Sequence, residues 1–389
     1  MTPRVLFVGH AADRTGPPIG LLHLLGWLRA NADVHPEVLL LEGGPLEPEY
    51  AALAPTVVLD EWDLDAPWGA LATLAEGRAH GLLPALRRRG LARRLAGLSP
   101  PDLVYINTAW TIRALHHLPF AVPRLVVAIH ELEVGLDLHL PAAERAVLLS
   151  RADHLVAVSD AVKDNLVARH GVASTEVSVH REMIEVRPKD LSASVACRRS
   201  LGIPDDAPLV GSAGLIHWRK GTDLFAHLAV GVLQRRPDAH FVWVGGTTED
   251  AAGRALAADI DAAGLAGRVH VVAHVDDPHD WYGAMDVFVL PAREDAFPLV
   301  CLEAGSVGVP IVCFDNGGMP ELVDRGPDAA GFVVPYPDVG AMAHRVVELL
   351  DDPALRLTMG ETAATVVRTE NDVAAIAPGL WAEVARWLP

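Results

Sequence analysis

Short runs of valine, isoleucine and leucine alternate with longer helical stretches along the whole of this 389-residue chain. That alternation limits the fold more than any other feature. A run that is apolar at every position suits a strand buried on both faces. Such strands, separated by helices, pack as a parallel sheet with helices layered on it. The pattern predicts strands over Val5–Val8, Glu37–Leu41, Thr56–Leu59, Leu103–Ile106, Leu125–Ile129 and His154–Val158. A second set covers Glu176–His180, Leu209–Leu215, His240–Val244, Val269–Ala273, Asp286–Leu290 and Ile311–Phe314.

The alternation pauses at Arg181–Pro204. There Glu182–Pro188 reads as a linker, and Leu201-Gly202-Ile203-Pro204 as the entry to a new domain. Length agrees, since a domain averages about 150 residues. The expectation is an α/β chain of two Rossmann-like domains, residues 1–188 and 189–370, with a C-terminal helix at 371–389 crossing back to the first. Hydrophobic residues make up 51% of the chain but aromatics only 5%, so Ala, Leu and Val must fill the cores. No apolar run reaches the ~18 residues of a membrane span. Val5–Val8 is too short for the core of a signal peptide and reads as a first strand. Cys197, Cys301 and Cys313 are scattered and make neither a disulfide framework nor a zinc site, which fits a reducing cytoplasm. The formal charge of −18 argues against nucleic acid and against docking on an anionic membrane. One basic cluster, Arg87, Arg88, Arg89, Arg93 and Arg94, reads as a solvated helix face, with an anionic acceptor or lipid headgroup as the sharper alternative.

The chemistry concentrates after Leu290, where a strand ends in Pro291-Ala292-Arg293-Glu294-Asp295-Ala296-Phe297 and a helix begins near Pro298. Proline suits the first helical position. The open N–H groups of a helix start make an anion site, and ligands of open α/β sheets bind at this edge. Asp295 in the loop and Glu303 on the helix supply two carboxylates for two hydroxyl-bearing sugars, one being transferred and one the ribose of a nucleotide. A second strand–loop–helix junction, Gly211–Asp223, carries Arg219 and Lys220. Fixed cations there stabilise the charge that grows on a departing diphosphate. Gly245-Gly246 forms a tight turn beside them. The first loop, Gly9–Pro18, lacks G-x-G-x-x-G and so does not support a nicotinamide site. His130-Glu131 ends another strand at the equivalent edge, as do Asn107 and Ser159-Asp160, which are weaker candidates for acceptor contact.

Residues 205–350 resemble family 4 of the glycosyltransferases, whose GT-B fold sets two Rossmann-like domains facing across a cleft. That family carries two acidic residues separated by seven others, then a small-residue helix and a Gly-Gly loop. Here Asp295 is followed by Phe297-Pro298-Leu299-Val300 and Glu303-Ala304-Gly305, then by Gly308-Val309-Pro310 and Gly317-Gly318-Met319-Pro320-Glu321. The resemblance implies that Glu303 binds the donor ribose. It gives the transferred sugar and phosphate to Asp295 with the backbone at Phe297–Leu299, and places Val300 in the same donor segment. Lys220 matches the family lysine on the diphosphate, Gly16 lets backbone approach the phosphates, and His130 touches the transferred sugar. The implied co-substrate is a nucleotide-diphosphate sugar, used with retention and with neither cofactor nor metal. The acceptor is a small molecule or glycan that the sequence does not identify.

Two departures stand out. The family's first acid is usually glutamate, and here Asp295 holds that place with Glu294 beside it, so either can take the role. The family's second diphosphate cation, an arginine five residues before the lysine, is Leu215, which leaves Arg219 as its substitute. The triplets Asp63-Leu64-Asp65 and Asp259-Ile260-Asp261 follow no strand and are not read as metal sites. The alternatives are an epimerase of the same fold, which needs no second substrate, and a protein that holds a nucleotide sugar without turning it over.

Overall fold

The computed structural model describes residues 2–59 and 90–389. Asp63, Asp65, Arg87, Arg88 and Arg89 lie outside the described residues; Arg93 and Arg94 lie within them and are exposed. The chain divides into two compact units. One takes Met1–Val158, Val162–Arg181 and Ile376–Pro389, and the other Ser159–Ala161 and Glu182–Ala375.

In the first unit the strands are β1 (Arg4–Ala11), β2 (His35–Glu42), β3 (Thr56–Val58), β4 (Leu103–Ile106), β5 (Leu125–Ile129), β6 (His154–Ala157) and β7 (Val177–Val179). They form one sheet in the order β3-β2-β1-β4-β5-β6-β7, and every pairing is parallel. The helices between them are α1 (Gly16–Asn31), α2 (Glu47–Leu53), α3 (Glu133–His139), α4 (Ala142–Arg151) and α5 (Asp160–His170). Every residue of β4 and β5 is buried, as continuous apolar runs require.

The second unit begins with α6 (Leu191–Ser200), followed by β8 (Leu209–Ala213), α7 (Thr222–Leu233), β9 (His240–Val244), α8 (Ala251–Ala262) and β10 (Val269–Val272). Then come α9 (His279–Ala284), β11 (Val287–Leu290), α10 (Leu299–Ser306), β12 (Ile311–Phe314), α11 (Pro320–Val323) and β13 (Gly331–Val334). Helices α12 (Val339–Asp351), α13 (Pro353–Val366) and α14 (Val373–Ala385) complete the chain. The strand order β10-β9-β8-β11-β12-β13 reverses direction between β8 and β11, and all pairs are again parallel.

Three local features differ from the sequence expectations. Strand β8 stops at Ala213 because Gly214 turns to a φ of +135°, so Leu215 lies outside the strand and is 57% exposed. Helix α6 lies inside the stretch read as a pause; Asp190 caps it, its side chain accepting the N–H groups of Ser192 and Ala193 at 2.8 and 3.0 Å. Strand β13 begins at Gly331, with a φ of +156°, where a Cβ would strike the Ile311 carbonyl. The two segments that connect the units are hydrogen-bonded to each other. Ile184 N–H donates to the Asn371 carbonyl at 2.9 Å, and Val373 N–H to the Ile184 carbonyl at 3.1 Å.

The core of the second unit is built around Phe225 of α7. Its ring meets Phe241 at 6.1 Å and Trp243 at 5.4 Å, both edge-on, and all three are fully buried. Removing it leaves a cavity under β9 that rigid strands cannot close. We expect Phe225→Ala to cost about 3–5 kcal/mol in chemical denaturation. A loss below about 1 kcal/mol would contradict this packing.

Candidate functional site

The reversal of strand order leaves β8 and β11 adjacent while their loops turn to opposite sides, and such a point is where open α/β sheets bind ligands. Here the two loops are stitched together. Arg293 N–H donates to the Arg219 carbonyl at 2.8 Å, and the Arg219 guanidinium donates to the Glu294 carbonyl at 2.8 Å. Arg293 donates to both oxygens of Asp223, at 2.8 and 2.6 Å, and to the Trp218 carbonyl at 2.7 Å. Its guanidinium also stacks on the Trp218 ring, 4.8 Å from the centroid. The Arg293 hydrogen bonds hold the Asp223 carboxyl below its ordinary range.

The β12 loop holds the β11 loop from the other side. Asn316 Nδ2 donates to the carbonyls of Ala292 and Arg293, at 3.2 and 2.9 Å, and Gly318 N–H donates to that of Asp295 at 3.2 Å. Close backbone approach explains the glycines. At Gly317 (φ +64°) a Cβ would strike the Asp295 carbonyl, and at Gly221 (φ +73°) it would strike that of Pro291. Behind them, Gly245 and Gly246 turn at φ +108° and +80° against Gly214 and Ile216.

This scaffold brings three predicted residues together. Lys220 Nζ meets Asp295 Oδ2 at 2.5 Å, and Arg219 lies 3.7 Å from the same oxygen. The Asp295 carboxylate meets these cations, and the Glu294 main-chain carbonyl accepts the Arg219 guanidinium. Pro298 is the N-cap of α10 rather than its first residue, and Phe297, Pro298 and Leu299 are buried while Val300 is half-buried. At the start of α10 the Cys301 N–H is spent on the Pro298 carbonyl at 3.1 Å, and those of Leu299 and Val300 have no acceptor within the helix.

Glu303, further along α10, is half-buried. Burial pushes its carboxyl above the ordinary range, countered by the neighbouring Tyr282 hydroxyl and by the charge of Arg187. Tyr282 is fully buried, and its hydroxyl lies beside Glu303 without closing a well-aligned hydrogen bond.

His130 and Gly16 belong to the first unit. His130 follows β5, and its N–H donates to its neighbour Glu131 Oε2 at 2.9 Å. Glu131 is pushed up by burial and also accepts Ala109 N–H at 3.5 Å. Gly16 opens α1, but Pro17 and Pro18 lack an N–H and that of Ile19 is spent on the Thr15 carbonyl. The start of α1 is therefore a poorer anion site than that of α10. Asn107 is buried and donates to the Pro17 carbonyl at 2.8 Å, tying the β4 and β1 loops together. Ser159 is buried and Asp160 opens α5.

Asp259 and Asp261 lie on α8 two positions apart, which turns them to opposite sides of the helix. Among the described residues no helix is long and apolar enough to cross a membrane. Arg293 and Asn316, which hold the site together, carry no sequence signal of their own, because their partners are fixed only by the sheet order.

Residues 22–184 match the description "Glycosyltransferase Family 4", and residues 207–352 match "Glycosyl transferases group 1". Over 157 residues the chain is 35% identical to the lipopolysaccharide core biosynthesis mannosyltransferase LpsB of Rhizobium meliloti, covering 40% of this chain and 45% of that protein. The chain thus spans less than half the length of that relative. It is 28% identical to a GDP-mannose-dependent monoacylated phosphatidylinositol monomannoside mannosyltransferase of Corynebacterium glutamicum, over 75% of this chain and 76% of that one. The crystal structure of Anabaena HepE in complex with UDP and glucose shares the fold with a TM-score of 0.80 at 19% identity, covering 98% and 99% of the two chains. The architecture is therefore GT-B, with two Rossmann-like domains. With residues 22–184 and 207–352 both matched by glycosyltransferase family models, the chain belongs to the family 4 glycosyltransferases.

Proposed function

We propose that the protein transfers a sugar from a nucleotide-diphosphate donor to an acceptor, with retention at the anomeric carbon and without a metal ion. The observation that carries this reading is the cluster of Lys220, Arg219 and Asp295 where β8 and β11 part, beside the N-terminus of α10. The diphosphate gains negative charge as the glycosidic bond breaks, and preorganised cations and helix-start amides are the groups that stabilise such charge. Arg219 supplies the second cation that a leucine at 215 cannot, its guanidinium held in place by the Glu294 carbonyl.

Asp295 neutralises only one of the two cations, so the cluster keeps a net positive charge. A bound diphosphate competes for them and leaves the carboxylate to accept a hydroxyl of the transferred sugar. Glu303 accepts the ribose hydroxyls. The bond from the anomeric carbon to the phosphate breaks, the acceptor oxygen bonds to the same face, and the departing phosphate oxygen takes the acceptor proton. No side-chain nucleophile enters. His130 and Gly16 stand at the corresponding edge of the first sheet; this reading keeps His130 for the transferred sugar and Gly16 for the donor phosphates, and gives the acceptor to other loops of the first unit. The GDP-mannose dependence of the Corynebacterium relative and the UDP and glucose bound to HepE make GDP- and UDP-sugars the first to try.

Two sets of variants test the reading. Lys220→Ala removes a charge that acts most strongly in the transition state, so kcat falls about 10²–10³-fold. Glu303→Ala loses charge-assisted hydrogen bonds to the ribose, so the donor KM rises about tenfold or more. Full activity of both variants in a sugar-transfer assay sinks the assignment. The second set decides the first acidic role. Asp295→Asn is expected to lower kcat/KM about 10²-fold, while Glu294→Gln stays within about threefold of the parent. The reverse order moves the role to Glu294.

A further inference from the structure

Arg293 directs its hydrogen bonds at one short stretch of chain. Its guanidinium donates through Nη1 to the Trp218 carbonyl at 2.7 Å and to Asp223 Oδ1 at 2.8 Å, and through Nη2 to Asp223 Oδ2 at 2.6 Å. Its main-chain N–H donates to the Arg219 carbonyl at 2.8 Å. Trp218 and Arg219 precede Lys220, and Asp223, in the first turn of α7, follows it. One residue of the β11 loop thus holds the β8 loop on both sides of the lysine. Gly221, next to that lysine, lets the two backbones close up, since a Cβ there would strike the Pro291 carbonyl.

Charge is not what Arg293 brings. Paired with Asp223, it adds no net charge to the site. Its side chain is 13% exposed, and the Trp218 ring, itself 59% exposed, lies over the guanidinium with its centroid 4.8 Å from Cζ. A ring so placed attracts the guanidinium and keeps water from that face of the ion pair. Arg293 is fixed in turn from the β12 loop, its carbonyl accepting Asn316 Nδ2 at 2.9 Å. A rigid fork of donors matched to two carboxylate oxygens and a carbonyl holds geometry, which the point charge of a lysine does not reproduce.

We propose that Arg293 is a positioning residue of the transfer reaction: gripping the chain before and after Lys220, it presets that ammonium for the charge that develops on the departing diphosphate. This rests on the donor reading above and adds the group on which its lysine depends. A preset cation stabilises the transition state more than the ground state, because no reorganisation is left to make as the bond breaks. Loss of the grip therefore shows in kcat rather than in the donor KM.

The test is steady-state release of nucleoside diphosphate from UDP-glucose, GDP-mannose, ADP-glucose and dTDP-glucose, with water as acceptor. With the donor that the unaltered protein turns over, Arg293→Met is expected to lower kcat about tenfold or more while KM stays within about threefold. Arg293→Lys recovers part of the loss, and Asp223→Asn, which keeps the Trp218 and main-chain contacts, gives a smaller one. These two variants carry the test if the methionine variant does not fold. In a Lys220→Ala background Arg293→Met lowers kcat less than about threefold, because the group it positions is gone. An equal loss in both backgrounds, a loss carried by KM alone, or parental kcat in all three variants overturns the inference and leaves the donor reading standing. Release from none of the four donors by the unaltered protein overturns the donor reading and this inference together.

Discussion

The candidate site depends on one topological constraint: β8 and β11 are hydrogen-bonded neighbours, yet β9 and β10 lie between them in the chain. Parallel strands need crossover connections, and a sheet that grows first one way and then the other leaves its two central loops diverging. That divergence opens space at the carboxyl edge without breaking any strand pair. The loops then need a brace, and Arg293 provides it. It is committed to Asp223, to the Trp218 carbonyl and ring and, through its own N–H, to the Arg219 carbonyl. Lys220 and Asp295 lie next to this brace in each loop, and their approach follows from it.

Charge is used sparingly in this chain. Acidic residues outnumber basic ones by 50 to 32, so a place where two cations share one carboxylate stands apart from the general surface. Lys220 and Asp295 are both largely withdrawn from water, at 18% and 11% side-chain exposure, so neither charge is cheap to leave without a partner. A diphosphate can replace the carboxylate as counter-ion for the lysine, while hydroxyl groups replace the lysine at the carboxylate. Exchange of partners of this kind lets the same residues be stable without a ligand and matched to a transition state with one.

Much of the architecture is legible in the sequence where burial is complete. Strands β4, β5 and β12 end where their apolar runs end, because strands buried on both faces disfavour polar alternates. Strand β13 escapes because it is a short run opened by a glycine, and α6 because its partly polar sequence hides the apolar period. Asp295, Lys220 and Glu303 are legible through a spacing that a known family shares. Arg187, Arg293 and Tyr282 are not. Arg293 finds Asp223 across 70 positions and Arg187 finds Asp277 across 90, and only the folded sheet order brings such pairs together. The departure at Leu215 shows the same limit: the sequence marks a missing cation, and the fold shows Arg219 beside Asp295.

The most direct test of the central claim, that the β8–β11 edge holds a nucleotide diphosphate without a metal, is thermal stabilisation by UDP-, GDP-, dTDP- and ADP-sugars with and without EDTA. Binding at about 100 times Kd adds roughly 2.7 kcal/mol to the folded state, enough for a shift of several degrees. The account predicts such a shift with one donor, unchanged by EDTA and much smaller in Glu303→Ala. A panel with no shift, or a shift that EDTA abolishes, contradicts it.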